Sequence, residues 1–473
     1  MATQDSVRTA SAEVSRASRQ TLLWTTFGYG LMILGAIGAL VLIRSYGETL
    51  TAPPAAATKA FATATVPRAD VLLHVLVALT AVIVTGLILA KLFAYLGQPP
   101  VIGEVVAGIV LGPSLLGSEV SALILPTAVA PFLGVIAQLG VLLYMFIVGL
   151  ELHADLLKHR AHATVATSHA SILVPFVLGA LLALYLYPRL SSSDVPFTSF
   201  ALFMGVAMSI TAFPVLARIL TDRRMTRTEL GVIALSCAAT DDVTAWCLLA
   251  FVVGVAKAQA GEGLVVAAGT LTYIAFMLLI VRPMLNPVVT WWKTEPLPRG
   301  MAAFVFVALL LSALTTEAIG IHAIFGAFLL GAVIPHDSVV ARTFTRQLHS
   351  VVTVLFLPAF FAFTGMRTRI DLVTGLDQWV ICGLIILVAT LGKFGGTFVA
   401  ARLTGLGSRY AAALGTLMNT RGLVELIVLN IGLDLRVISP TLFSMMVLMA
   451  LVTTMATSPV LRLLMPHTVA ADA

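Results

Sequence analysis

Thr211-Ala212-Phe213-Pro214 stands in the middle of an apolar run over 196–220, and Asn419-Thr420-Arg421-Gly422 stands at the corresponding place of a second run over 409–432. Pro214 lacks a backbone donor, and its ring disrupts the turn before it. Helix-breaking residues at membrane depth are tolerated where backbone lines a cavity. The two interruptions predict two broken helices that cross near the middle of a bilayer, with their open N–H and C=O ends facing one site. A kinked structural helix is the plainer reading of either interruption taken alone.

The rest of the chain fits a bilayer. Of its 473 residues, 59% are apolar and 11% charged, against about 25% charged in a soluble domain. Fourteen apolar runs fill it, at about 22–43, 70–94, 100–117, 129–152, 162–187, 196–220, 229–256, 262–291, 300–318, 320–334, 347–366, 376–402, 409–432 and 437–464. A span needs about 20 such residues, so the third and tenth are short. This composition excludes a soluble enzyme, a nucleic-acid-binding domain and a disordered protein. The runs are continuous rather than alternating, which excludes a β-barrel. The loops carry no cofactor fingerprint and no nucleophile arrangement, so no enzyme and no cofactor are expected. Cys237, Cys247 and Cys382 lie inside apolar runs without metal-ligand spacing and read as small apolar residues.

The runs repeat. Ala107-Gly108-Ile109-Val110-Leu111-Gly112 is echoed by Gly326-Ala327-Phe328-Leu329-Leu330-Gly331, and Phe146-Ile147-Val148-Gly149 by Phe363-Thr364-Gly365-Met366. Runs two to seven thus match runs nine to fourteen. An odd offset of seven spans reverses direction through the membrane. Inverted repeats with interrupted helices are the signature of a secondary transporter.

Lys and Arg are about twice as frequent on one side of the runs as on the other, and that side is cytoplasmic by the positive-inside rule. It carries Arg223, Arg224, Arg227, Arg342, Arg346, Arg402 and Arg409. Both termini then lie in the cytoplasm. The first run reads as a retained signal-anchor helix in preference to a cleaved signal peptide, and 44–69 as a flexible extramembrane loop.

Charges inside the runs are few and costly. Asp241 and Asp242 adjoin in the seventh run, where each charged residue costs about 2.5–3.5 kcal/mol. A carboxylate that titrates in the working range can exchange a proton for a hard monovalent cation. Thr240, Thr244 and the opened backbone carbonyls around Thr211 would supply further oxygen ligands. Lys393 in the twelfth run needs a partner, and Asp241 or Asp242 is the obvious one. Arg421 and Glu425 are spaced to pair on one helix face and read as steadying the broken helix. Glu104, Glu151 and Arg218 lie nearer the edges; Arg218 is expected to snorkel to the inner surface. His153, His159 and His162 read as solvated loop residues before pH sensors.

Gln98-Pro99-Pro100-Val101-Ile102-Gly103-Glu104 through Gly117 resembles the second-helix signature of the monovalent cation:proton antiporter-2 family. Phe213 to Leu220, the Asp241-Asp242 helix and Gly392-Lys393 are similar to it as well. Met418 to Leu426 looks especially like the plant and fungal cation/proton exchangers and their bacterial relatives, which share ancestry with NapA- and Kef-type systems. The resemblance covers about 70–465.

It implies an all-α polytopic membrane protein of the NhaA/NapA-like type, an inverted-repeat secondary transporter with two crossing broken helices. Residues 1–69 would hold the tail, the extra helix and a loop, 70–466 the antiporter domain, and 467–473 a short tail. Within the domain, 70–152 and 300–366 would form a dimerisation part, 162–256 and 376–464 a mobile ion-transporting core, and 262–291 a linker helix. The resemblance also implies a homodimer, Asp242 as principal cation and proton carboxylate, and Asp241 as its partner and ion-pair mate of Lys393. Members with Asp-Asp and this Lys tend to be electrogenic. The expected function is Na+/H+ or K+/H+ antiport in the plasma or inner membrane, with the transported cation at Asp242 as the only metal. A channel-like potassium efflux component needing a soluble partner, and an exporter of a small organic product, stand as alternatives.

Overall fold

The computed structural model describes residues 28, 30–54, 68–151, 161–257, 263–291 and 297–465. A bilayer core offers no water to peptide groups, so each must find its partner within its own helix. The helices in chain order are α1 (Gly30–Gly47), α2 (Arg68–Tyr95), α3 (Pro100–Leu111), α4 (Pro113–Ile124), α5 (Ala130–Leu150), α6 (Ala161–Leu190), α7 (Phe197–Ser209), α8 (Phe213–Asp222), α9 (Glu229–Lys257) and α10 (Gly263–Phe276). There follow α11 (Arg282–Trp291), α12 (Arg299–Ile319), α13 (Ala323–Val333), α14 (Val339–Val351), α15 (Leu357–Arg367), α16 (Gly375–Thr390), α17 (Gly396–Leu403), α18 (Ser408–Met418), α19 (Leu423–Asp434) and α20 (Pro440–Leu464). Five-residue π-helical turns at Met277–Val281, Val352–Phe356 and Leu391–Gly395 join α10 to α11, α14 to α15 and α16 to α17.

Among the described residues, 11 helical spans are long and apolar enough to cross a membrane. The pair α18 and α19 passes as one more span with a 46° bend, and α3 and α13 are shorter apolar helices. Together these account for the fourteen expected runs. Three boundaries differ from expectation. The third run stops at Leu111, because Gly112 is extended and Pro113, which cannot continue a helix, starts α4 instead. The eleventh begins earlier, at Val339, where the Ser338 hydroxyl accepts the Ala341 N–H at 3.1 Å and caps α14. The loop after α1 is shorter than expected. The helix runs on to Gly47, Glu48 accepts from Arg44 at 2.7 Å and from Thr198 at 3.2 Å, and Pro53 C=O accepts the Ser193 N–H at 2.8 Å. Residues 1–27, 55–67 and 466–473, and His153 and His159, lie outside the described residues, as does the side chain of His162.

Helices α2 to α5 and α12 to α15 pack on one another; α6 to α9 and α16 to α20 pack on one another; α10 touches both α9 and α12. Glycines set the closest approaches in the first group, and they follow the repeat. A Cβ at Gly112 would strike the carbonyl of Gly365, and a Cβ at Gly149 would strike Gly331. Gly112 corresponds to Gly331 and Gly149 to Gly365, so the α3–α15 and α13–α5 crossings are the same contact made twice.

This packing makes a prediction. Gly365→Val inserts a branched side chain against backbone that cannot yield and should cost at least about 1–3 kcal/mol. Gly383→Ala, where no atom lies within 4 Å, should not. Thermal unfolding of the detergent-solubilised variants checks this; equal midpoints would refute it.

Candidate functional site

The two interruptions satisfy each other. Helix α7 stops at Ser209, Ile210 and Ala212 are extended, and Pro214 stands in the first turn of α8, where its missing N–H has no helical partner to lose. Helix α18 stops at Met418, and α19 restarts at Leu423. The Ala212 N–H donates to Thr420 C=O at 3.0 Å, and the Thr211 hydroxyl lies 3.1 Å from Met418 C=O, its one proton shared between that oxygen and Asp241. Orphan backbone groups of one break are thus met by the other.

Asp241 lies beside this crossing and is fully buried. Its carboxylate accepts from Ser168 at 2.6 Å, Ser171 at 2.6 Å, Thr211 at 3.0 Å and the Lys393 ammonium at 2.9 Å. Lys393 is as deeply buried and spends all three protons. It donates to Asp241, to Ser171 C=O at 3.0 Å and to Ser209 C=O at 2.5 Å. It sits within the π-helical turn Leu391–Gly395, a distortion that often marks functional sites.

Arg421, also fully buried, completes the end of α7. Its guanidinium donates to Ala207 C=O and Met208 C=O, each at 2.8 Å, and pairs with Glu425 at 3.1 Å. The last three carbonyls of α7 therefore each receive a cationic donor: two from Arg421, one from Lys393. This is where the helix dipole is negative. Glu425 lies in the first turn of α19, where the dipole is positive. Thr454 holds the Arg421 backbone, accepting its N–H at 2.9 Å and donating to its C=O at 2.7 Å.

Asp242 differs from its neighbour. It is 3% exposed, and its Oδ1 has no hydrogen-bond partner. The Oδ1 of Asn419, in the α18–α19 break, is likewise buried without one. Neither oxygen is met by a protein donor, and Glu425 Oε1, beside Arg421, is in the same position.

Asp241, Thr211 and Lys393 are thus brought together, Arg421 and Glu425 pair, and Asp242 adjoins them. Thr240 is not a donor to Asp241: its hydroxyl donates to Ser236 C=O of its own helix at 2.9 Å. Glu104 is half-buried in α3, Glu151 is exposed at the end of α5, and Arg218 pairs with Asp222 at the exposed end of α8. Ser168, Ser171 and Asn419 were not expected. The spacing of Ser168 and Ser171, one turn apart in an apolar helix, was the available signal.

The chain matches the family of sodium/hydrogen exchangers, transmembrane, over residues 78–465. It is 41% identical over 403 residues to the Na(+)/H(+) antiporter NhaS4 of Synechocystis, covering 84% of this chain and 98% of that one. It is 38% identical to Cation/H(+) antiporter 20 of Arabidopsis thaliana, over 80% of this chain and 47% of that one. With K(+)/H(+) antiporter 1 of Saccharomyces cerevisiae it shares 32% identity over 79% of this chain and 44% of that one. It spans about half the length of these plant and yeast relatives. The solved structure of the sodium proton antiporter MjNhaP1 of Methanocaldococcus jannaschii superposes with a TM-score of 0.63, at 15% identity, over 85% of this chain and 99% of that one. The chain belongs to the sodium/hydrogen exchanger family, within the cation/proton antiporters. It is a multi-pass membrane transporter of the NhaA/NapA type and not an enzyme.

The Lys393–Asp241 geometry carries its own test. Lys393→Met leaves a buried carboxylate uncompensated and should lower stability by about 3–5 kcal/mol. Adding Asp241→Asn should recover most of that loss. Thermal unfolding of both variants measures it; a double variant no more stable than the single would refute the buried pair.

Proposed function

We propose that the chain exchanges Na+ or K+ for protons by alternating access at Asp242, with Asp241 and Lys393 as a fixed ion pair beside it. The observation that carries this reading is a charge count. Lys393 and Arg421 are balanced by Asp241 and Glu425. Asp242 is left over, buried, with an oxygen that no donor meets. A proton or a monovalent cation each cancels its charge, and the two cannot do so together. A core with Asp242 bare carries an unpaired buried charge, which costs several kcal/mol, so it crosses slowly. Competition and that barrier are sufficient for coupling.

The oxygen-rich surroundings support a hard monovalent cation. Thr211, the Asn419 side chain and the carbonyls of the breaks are the candidate ligands to join Asp242, and Thr240, whose proton goes to Ser236, keeps its lone pairs for the same use. The NhaS4 relative is named for Na+ and the yeast relative for K+, and both stand as substrates here. The packing into α2–α5 with α12–α15 and α6–α9 with α16–α20 supports a dimerisation scaffold and a mobile core, with α10–α11 as linker. On this reading the protein is a homodimer in the plasma or inner membrane with cytoplasmic termini. Arg421 and Glu425 hold the broken helices in register.

The electrogenic tendency of Asp-Asp relatives would need a second proton, carried by opening the Lys393 pair. Lys393 has three good acceptors, which favours a closed pair and one proton per cation.

The test is cation-driven proton flux in proteoliposomes, with Na+, K+ and Li+ added in turn. Wild type should collapse an inside-acidic gradient, and Asp242→Asn should fall to the level of empty vesicles. No response to any cation from folded protein would overturn the reading. In the acid range, where protons occupy Asp242, the apparent KM for the cation should rise about tenfold for each unit by which the pH falls, as competition with one proton requires. A hundredfold rise per unit, or a rate that follows an imposed membrane potential, would show a second proton.

A further inference from the structure

We propose that Thr364 and Arg367 of α15, with Asn430 and Asp434 of α19, form a gate that closes one end of the cleft between scaffold and core and opens once in every transport cycle. The proposal rests on the two-body reading above. The contacts all run between the bodies. Asn430 Nδ2 donates to the Thr364 hydroxyl at 2.9 Å, and Arg367 donates to Asn430 Oδ1 at 2.9 Å. The other nitrogen of Arg367 pairs with Asp434, and its guanidinium stacks over Phe363 of its own helix at 4.6 Å. Just beyond α15, the Arg369 N–H donates to the Ser444 hydroxyl of α20 at 2.8 Å.

A second layer lies nearer the carboxylates. Trp246 stands one turn beyond Asp242 on α9. Its ring packs against Phe325 and Phe328 of α13, at centroid separations of 5.7 and 6.1 Å. The indole is 2% exposed, and its N–H has no hydrogen-bond partner. A buried donor left unmet is a cost that another arrangement of the two bodies would relieve. On this side a partly open cleft of about 30 Å³ lies between the bodies, lined by Gln138, His322, Phe360, Phe363, Ile427 and Asn430. That volume admits water.

Burial separates this ion pair from the one at the site. The Lys393 and Asp241 side chains are both 0% exposed, whereas Arg367 is 17% and Asp434 38% exposed. Parting the former strands two charges away from water. Parting the latter hands both to solvent, with Arg367 still supported by Phe363. The rim pair is therefore the one able to open and close.

The Asn430–Thr364 contact at 2.9 Å makes these the positions for a cysteine pair to be trapped as a disulfide in the closed arrangement. Thr364→Cys with Asn430→Cys is made in a chain whose Cys237, Cys247 and Cys382 are replaced by alanine, and is followed by cation-driven proton flux in proteoliposomes. Oxidation should cut exchange at least about tenfold, and a reductant should restore it. Undiminished exchange with the disulfide confirmed by mass spectrometry would overturn the gate. The reduced protein's flux in the same vesicles shows separately whether antiport stands. Independently of that bond, Asp434→Arg should change the exchange rate about threefold or more, and adding Arg367→Glu should return it towards wild type. A swapped pair that behaves no differently from Asp434→Arg alone would also overturn the proposal.

Discussion

A lysine sealed from water beside an aspartate is the constraint on which the rest of the core depends. Neither Lys393 nor Asp241 has any exposure, and each alone would be a charge stranded in a low dielectric. The pair survives because its remaining valences are filled. The carboxylate takes two serines and a threonine, and the ammonium takes two carbonyls. Those partners come from α6, the α7–α8 break, α9 and the turn between α16 and α17. Four chain segments must therefore hold register to within a hydrogen bond. That rigidity leaves one acidic group, Asp242, with nothing fixed to neutralise it.

The crossing of the two breaks obeys the same logic applied to backbone. A helix interrupted inside a bilayer exposes carbonyls at one end and N–H groups at the other, and has no water to satisfy them. Inverted repeats answer this by bringing two interruptions together with opposite polarity. The hydrogen bonds from Ala212 to Thr420 and from Thr211 to Met418 are the result. The repeats are alike in path but not in chemistry. The first supplies the carboxylates Asp241 and Asp242; the second supplies the cations Lys393 and Arg421. Both cations cap the end of α7, so the dipole of one repeat is neutralised by the charges of the other.

Much of this was legible in the sequence, for a reason of energy. A charge in an apolar run is so costly that its presence alone is informative, and so few are present that Lys393 and the aspartate pair point to each other. Pro214 and Gly422 mark the breaks in the same way. The missed residues are those whose presence costs little. Ser168 and Ser171 are tolerated in any apolar helix, because a hydroxyl can bond to its own backbone. That same self-satisfaction sends the Thr240 proton to Ser236 one turn back, so Thr240 is no donor to Asp241. Adjacency to Asp241 in the chain says nothing about where a hydroxyl points. The π-helical turn that carries Lys393 has no sequence marker, and the helix over Pro113–Ile124 is too mixed in polarity to stand out.

The molecule holds two kinds of ionic contact, one fully buried and one at the rim, and their depths suit different tasks. Charges that must stay together throughout a cycle are enclosed entirely, where separation is prohibitive. Charges that part in each cycle must lie where water can receive them, and Arg367 and Asp434 at the rim meet that condition. Asp242 lies between these extremes. It is too buried to remain charged alone, yet it has no permanent partner to make its charge harmless. A group so placed must take up a mobile positive charge before its surroundings move past one another. Among the described residues the two buried cations of the core, Lys393 and Arg421, are already paired, so on the proposed reading the charge comes from solution, as a proton or as a metal cation. On that reading, exchange of the two follows from burial and charge balance, without any direct contact between the ions.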